Sequence, residues 1–134
     1  MVLEAAGQIR QAIDVYLRAL HKTIKFFGVS HPQTAMCYNN LANAYFNISD
    51  YNKVINFATK ALKIDQKTLP AMHPYIGGDY NTLGNAYRLK KQFKSALDFF
   101  EKALQIATAA LGPDHPNTKE AFQNINNCLC DMNQ

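Results

Sequence analysis

The chain has 134 residues, 48% of them hydrophobic and 18% charged, enough apolar material to bury a core without disulfides or metal. No apolar run approaches the ~18 residues of a membrane span, and Glu4, Arg10, Asp14 and Arg18 interrupt the stretch where a secretory leader would be apolar. The formal net charge of +4 raises nucleic acid as a partner and has to be weighed against where the charges fall.

Helical spacing of apolar residues begins at Ile9 and runs through Ala12, Tyr16, Ala19 and Leu20, which predicts a first helix over 7–27. Gly28 then breaks the pattern, and His31-Pro32 opens a second helix over 31–48, with Pro at a helix start, where its missing N–H costs little. Tyr38, Leu41, Ala42 and Tyr45 form its apolar face. A short break at Ser49-Asp50 leads to a third helix over 51–68. From there the sequence repeats itself. His-Pro recurs at His73 and His115, each 42 residues after the last, and YNNLANAY (38–45) returns as YNTLGNAY (80–87) and, more loosely, as FQNINNCL (122–129). Gly28, Pro70 and Gly112 stand three residues before each His-Pro. The remaining helices are therefore predicted over 73–90, 93–110 and 115–131.

Two helices per 42-residue period, with FFGVSHPQTAMCYNNLANAY, ALGPDHPNTKEAFQNINNCL and QFKSALDFFEKALQI, resemble the tetratricopeptide repeat, and more closely its 42-residue variant found in kinesin light chains. The resemblance covers essentially the whole chain. It implies an all-α solenoid of antiparallel helix pairs: a single domain over 1–134, in which 7–27 is the second helix of an incomplete repeat. Repeats 31–72 and 73–114 follow, and 115–131 is the first helix of a third, incomplete one. Ala42 and Gly84 fall at the small position of the first helices, and Ala61 and Ala103 at that of the second. Val54, Ala58 and Asn126 depart from the sizes found at their repeat equivalents, which puts local packing there in question.

Stacked pairs of this kind form a right-handed superhelix whose first helices line a concave groove. The groove positions are Asn39, Asn40, Asn43, Phe46 and Asn47, then Asn81, Thr82, Asn85 and Arg88, then Gln123, Asn124 and Asn127. Asn43, Asn85 and Asn127 are one period apart, and Asn is a poor helix former. Amide side chains carry both donor and acceptor, so such rows suit the backbone of an extended peptide. They equally suit a ladder between neighbouring helices. Phe46 and Arg88 would supply selectivity, with Arg88 favouring an acidic peptide.

Other candidates are structural. The His of the three His-Pro motifs are too far apart to share a tetrahedral ion and are read as helix caps, so no metal and no cofactor are expected. Cys128 sits where Ala44 and Ala86 recur and reads as a small buried thiol, and Cys128 and Cys130 are too close on one helix to pair. Gly77-Gly78 lacks the strand and Lys-Ser/Thr of a phosphate loop and reads as close helix approach. Asn47-Ile48-Ser49 matches a glycosylation sequon that a cytoplasmic chain would leave unused.

Nothing suggests a nucleophile elbow, a carboxylate pair or a Gly-rich cofactor loop, so an enzyme is not expected. Lys53, Lys60, Lys63 and Lys67 read as a solvated outer face without the aromatic signature of RNA binding, so neither nucleic acid nor membrane is expected as a partner. The reading is a cytoplasmic, non-enzymatic scaffold that binds a protein or peptide in the groove. Its alternative is a spacer or self-association module acting through open helical ends, where Phe122, Ile125 and Leu129 leave apolar surface.

Overall fold

The computed structural model describes residues 2–134, so Met1 of the predicted domain lies outside the described residues. It contains six helices and no strand among those residues: α1 (Val2–Phe27), α2 (Pro32–Asn47), α3 (Tyr51–Thr68), α4 (Pro74–Leu89), α5 (Phe93–Leu111) and α6 (Pro116–Met132). Five of the six lie where the spacing and punctuation put them. The exception is the start of α1, which begins at Val2 instead of residue 7. Gly7 is exposed there, and a lone helical Gly costs only ~1 kcal/mol against Ala, too little to end a helix.

Each of α2, α4 and α6 is started by the same device. His31, His73 and His115 occupy the N-cap, and their Nδ1 atoms accept hydrogen bonds of 3.1, 3.0 and 3.1 Å from the backbone N–H of Gln33, Tyr75 and Asn117. Pro32, Pro74 and Pro116 follow at the first helical position. The helix-capping reading of the His-Pro motif therefore holds, and the imidazoles are spent on orphan helix donors.

The ends of α2 and α4 share a second device. Asp50 N–H donates to the Tyr45 carbonyl (3.0 Å) and Gln92 N–H to that of Tyr87 (2.9 Å), closing the six-to-one bond of a Schellman turn. The residues that turn the chain there, Ser49 (φ 62°) and Lys91 (φ 63°), adopt left-handed backbone without being glycine.

The chain divides into two compact units, residues 1–68 and 69–134. In the first, Ile13 and Leu20 of α1, Ala35, Tyr38, Leu41 and Ala44 of α2, and Ala61 and Ile64 of α3 form a single buried cluster. Tyr38, Phe57 and Tyr45 stack, with ring centroids 6.0 and 5.6 Å apart. Lys60 lays its ammonium over the Tyr38 and Phe57 rings at 5.6 Å.

The second unit repeats that arrangement with Tyr80, Phe99 and Tyr87 at 6.0 and 5.5 Å. Here Lys102 stands over Tyr80 and Phe99 at 5.6 and 5.8 Å. Lys60 is thus not merely a solvated charge: it caps an aromatic stack, worth on the order of 0.5–1 kcal/mol at an exposed site. Ala96, Phe100 and Cys128 form the buried centre where α5 meets α6.

The departures at Val54 and Ala58 do not loosen the first unit, since both are fully buried. In the second unit Phe100 fills the position of Ala58 and is also fully buried. Gly84, the counterpart of Ala42, makes room for it, because a Cβ there would fall 2.6 Å from Phe100 Cε1. Asn126 is exposed on α6.

Candidate functional site

The predicted groove residues divide by helix. On α2, the buried positions Thr34, Ala35, Tyr38, Leu41, Ala42 and Ala44 hold one side of the helix in the core. Asn40, Asn43 and Asn47 are exposed and, with exposed Met36 ahead of them, follow the spacing of a single stripe along the helix. Asn39 is half-buried beside that stripe. Phe46 is half-buried too, its ring meeting Tyr51 edge to face at 5.6 Å.

On α4 the same stripe is recessed. Thr82 and Asn85 are half-buried, and the Thr82 hydroxyl donates to the Gly78 carbonyl (3.1 Å), a helix back-bond. Asn81 is half-buried as well, and its Oδ1 is buried without a hydrogen-bond partner. Arg88 is held 3.4 Å from the Asp131 carboxylate of α6. Its charge is therefore partly offset by an intramolecular acid, which the sequence reading did not include.

On α6, Asn124 is half-buried and Gln123 and Asn127 are exposed. The Gln123 Nε2 donates to the Asn127 Oδ1 at 3.0 Å, so one bond links these two amides along the helix.

The Gly77-Gly78 pair also separates into two roles. A Cβ on Gly77 would stand 3.2 Å from Ile106 Cγ2, which is the close helix approach expected. A Cβ on Gly78 would meet nothing within 4 Å. Gly78 instead borders a cavity of about 200 Å³ in the second unit, formed by α4, α5 and the first two turns of α6. No sequence signal marked this cavity. The nearest to one was that Gly78 occupies the register of Met36.

The cysteines are free: Cys128 is buried, Cys37 half-buried and Cys130 exposed. The Cys128 thiol donates to the Phe93 carbonyl (3.7 Å), and burial pushes its pKa up against the opposing pull of Arg88. It is the small buried thiol expected from the repeat register. His21 is exposed. No helix among the described residues is long and apolar enough to cross a membrane.

Two family models described as tetratricopeptide repeat match the chain, one over residues 1–67 and one over 80–117. No curated protein sequence matches it. Among solved structures, the chain is similar to the nearly identical TPR-like repeats of a kinesin light chain-like protein from Podosopora anserina. That match has a TM-score of 0.85 at 21% identity over 96% of this chain and 61% of the other. It is also similar to BtubC (BKLC) from P. vanneervenii, with a TM-score of 0.86 at 21% identity over 95% of this chain and 51% of the other. The N-terminal domain of stress-induced protein-1 from C. elegans matches at a TM-score of 0.61 and 18% identity, over 90% of this chain and 94% of that domain. At these identities the likeness is one of fold. The chain spans about three fifths of the first of these structures and about half of the second.

Proposed function

Because the chain belongs to the tetratricopeptide repeat family, a fold typically used as a non-catalytic interaction module, we propose that it is a protein–protein interaction scaffold. In this reading the amide rows, on α2 in the first unit and on α4 and α6 in the second, bind extended peptide of a partner protein. The observation that carries it is the exposed amide stripe Asn40, Asn43 and Asn47 on α2, continued in register by Thr82 and Asn85 and by Asn124 and Asn127. Exposed Asn in the middle of a helix lowers helix stability, and a bound backbone would use both the donor and the acceptor of each amide.

Asn39, Asn81 and Gln123 flank the stripe, and Phe46 and Arg88 select among peptides. An acidic residue of the peptide has to compete with Asp131 for Arg88, so the acidic preference is modest and shrinks with salt. A cytoplasmic location belongs to the same proposal and fits three free thiols.

The test is selection of binders from a random peptide display library on the purified chain, followed by titration. Asn43→Ala and Asn85→Ala should each weaken a selected peptide roughly five- to tenfold, the effect of one lost hydrogen bond of about 1 kcal/mol. Their helicity should be unchanged. Unaltered affinity in both variants would sink the groove model.

A second reading, self-association, is favoured by exposed Phe122, Leu129 and Met132 on α6. It requires mass that grows with concentration in sedimentation and disappears in Phe122→Asp.

A further inference from the structure

The cavity in the second unit is walled by Gly78 and Asn81 of α4, Ile106 and Ala107 of α5, and Asn117 and Glu120 of α6. At about 200 Å³ it falls below the ~300–1,000 Å³ of pockets for whole small-molecule ligands. It is sized for one side chain. Two observations set it apart. Gly78 weakens its helix relative to alanine, yet no neighbour excludes a Cβ, so packing does not account for the glycine as it does for Gly77. Asn81 lines the same cavity, and its side chain carries an acceptor, Oδ1, that is buried and that no group of the protein satisfies.

The chemistry of the walls selects the occupant. Ile106 and Ala107 supply an apolar passage, and Asn81, Asn117 and Glu120 place acceptor-bearing side chains on two different helices. An ammonium brings three donors and no acceptor, whereas the flat guanidinium fork is matched to a single carboxylate. We propose that this cavity receives a lysine side chain of the bound peptide. Its methylenes lie against Ile106 and Ala107, and its ammonium is shared by Glu120, Asn117 and the Asn81 amide turned toward it. The assignment rests on the peptide-binding reading and adds a basic position to a peptide whose backbone is held by the amide rows.

The probe is N-acetyl-lysine methylamide, titrated into the isotope-labelled chain and followed by amide chemical shifts, with the norleucine and arginine analogues alongside. Saturable shifts at Gly78, Asn81 and Glu120 are expected with the lysine analogue. Glu120→Gln should weaken them about fivefold or more. Gly78→Met, which restores the residue of the first repeat and favours the helix, should abolish them with helicity intact. Equal response to norleucine, tighter binding of the arginine analogue, full binding by folded Gly78→Met, or no shift at all would each overturn the proposal. The two readings fail separately. Library peptides that bind through Asn43 and Asn85 while the lysine analogue does not would remove the pocket and keep the groove; the converse would remove the groove and keep the pocket.

Discussion

Gly84 of α4 lies directly against the ring of Phe100 on α5: a Cβ on the glycine would sit 2.6, 2.7 and 3.0 Å from Cε1, Cδ1 and Cζ. The first unit carries Ala42 and Ala58 at the same two registers, all of these residues being buried. Between the two repeats one helix gives up a methyl group where its partner gains a phenyl ring, and the glycine makes sense only with the phenylalanine.

Gly84→Ala should therefore destabilise by about 1–3 kcal/mol, the usual cost of overpacking, although alanine is the better helix former. Phe100→Ala alone should cost about 3–5 kcal/mol through the cavity it leaves. The double variant, which copies the first unit, should cost less than the sum of the two. Urea unfolding of the four proteins in a double-mutant cycle measures that coupling, and strict additivity would contradict the packing argument.

Removing a histidine cap has a defined cost. His73→Ala should lower stability by about 1 kcal/mol, while His73→Asn, which can still accept from the Tyr75 N–H, should retain most of it. Thermal melts of the pair separate the cap from the rest of the imidazole's contacts, including its edge-to-face packing at 4.8 Å on Tyr75.

Lys91 turns the chain after α4 at φ 63°, a region that costs an L-residue roughly 1–2 kcal/mol. Lys91→Gly should raise stability by about 0.5–1 kcal/mol after the glycine's larger unfolded-state entropy is counted. Lys90→Gly, at a residue with φ of −83°, should give no such gain. Denaturant midpoints for the two variants provide the comparison.

The thiols should differ in reactivity. Cys130 is exposed and should label readily with a disulfide reagent, whereas buried Cys128 should react only through opening of the second unit. Burial raises the Cys128 pKa above its ordinary value of 9.0, so the folded state holds the thiol neutral while the unfolded chain ionises first. Its contribution to stability is complete below pH 9.0 and is lost as the pH rises toward the folded value. Cys128→Ala, the residue of the other two repeats, should flatten that alkaline loss in pH-dependent melts.

Helix limits were legible because punctuation and periodicity mark the same boundaries. His-Pro, a preceding Gly or Pro and the 42-residue register left little freedom for α2 to α6. The start of α1 was not, since neither a cap nor a strong breaker precedes Ile9 and Gly7 alone cannot stop a helix. The departures at Ala58 and Val54 looked like local defects in one dimension. For Ala58 the matching change lies on a second helix, where Gly84 stands against Phe100, and sequence spacing does not report it.

The amide rows were read from register alone. The bond between Gln123 and Asn127, the Arg88–Asp131 pair and the recess around Asn81 were not, because they depend on side-chain reach and helix separation. The aromatic stacks capped by Lys60 and Lys102 had a signal in the 42-residue recurrence of Phe57 with Phe99 and of those two lysines.

The corners that precede the His-Pro motifs come in two forms. Gly28 (φ 96°) and Gly112 (φ 86°) turn through left-handed backbone, and each carbonyl accepts a 2.7 Å bond from a threonine hydroxyl six residues on, Thr34 and Thr118. Pro70 makes the middle corner without that geometry, and the residue six further on is Ile76, buried and without a hydroxyl. Glycine with threonine and proline with isoleucine are thus two matched sets. Anyone splicing repeats from this chain into a longer array should move each corner from residue 28 to 34, 70 to 76 or 112 to 118 as one cassette, since a cut inside the first or the third would part a threonine hydroxyl from the glycine carbonyl that accepts it.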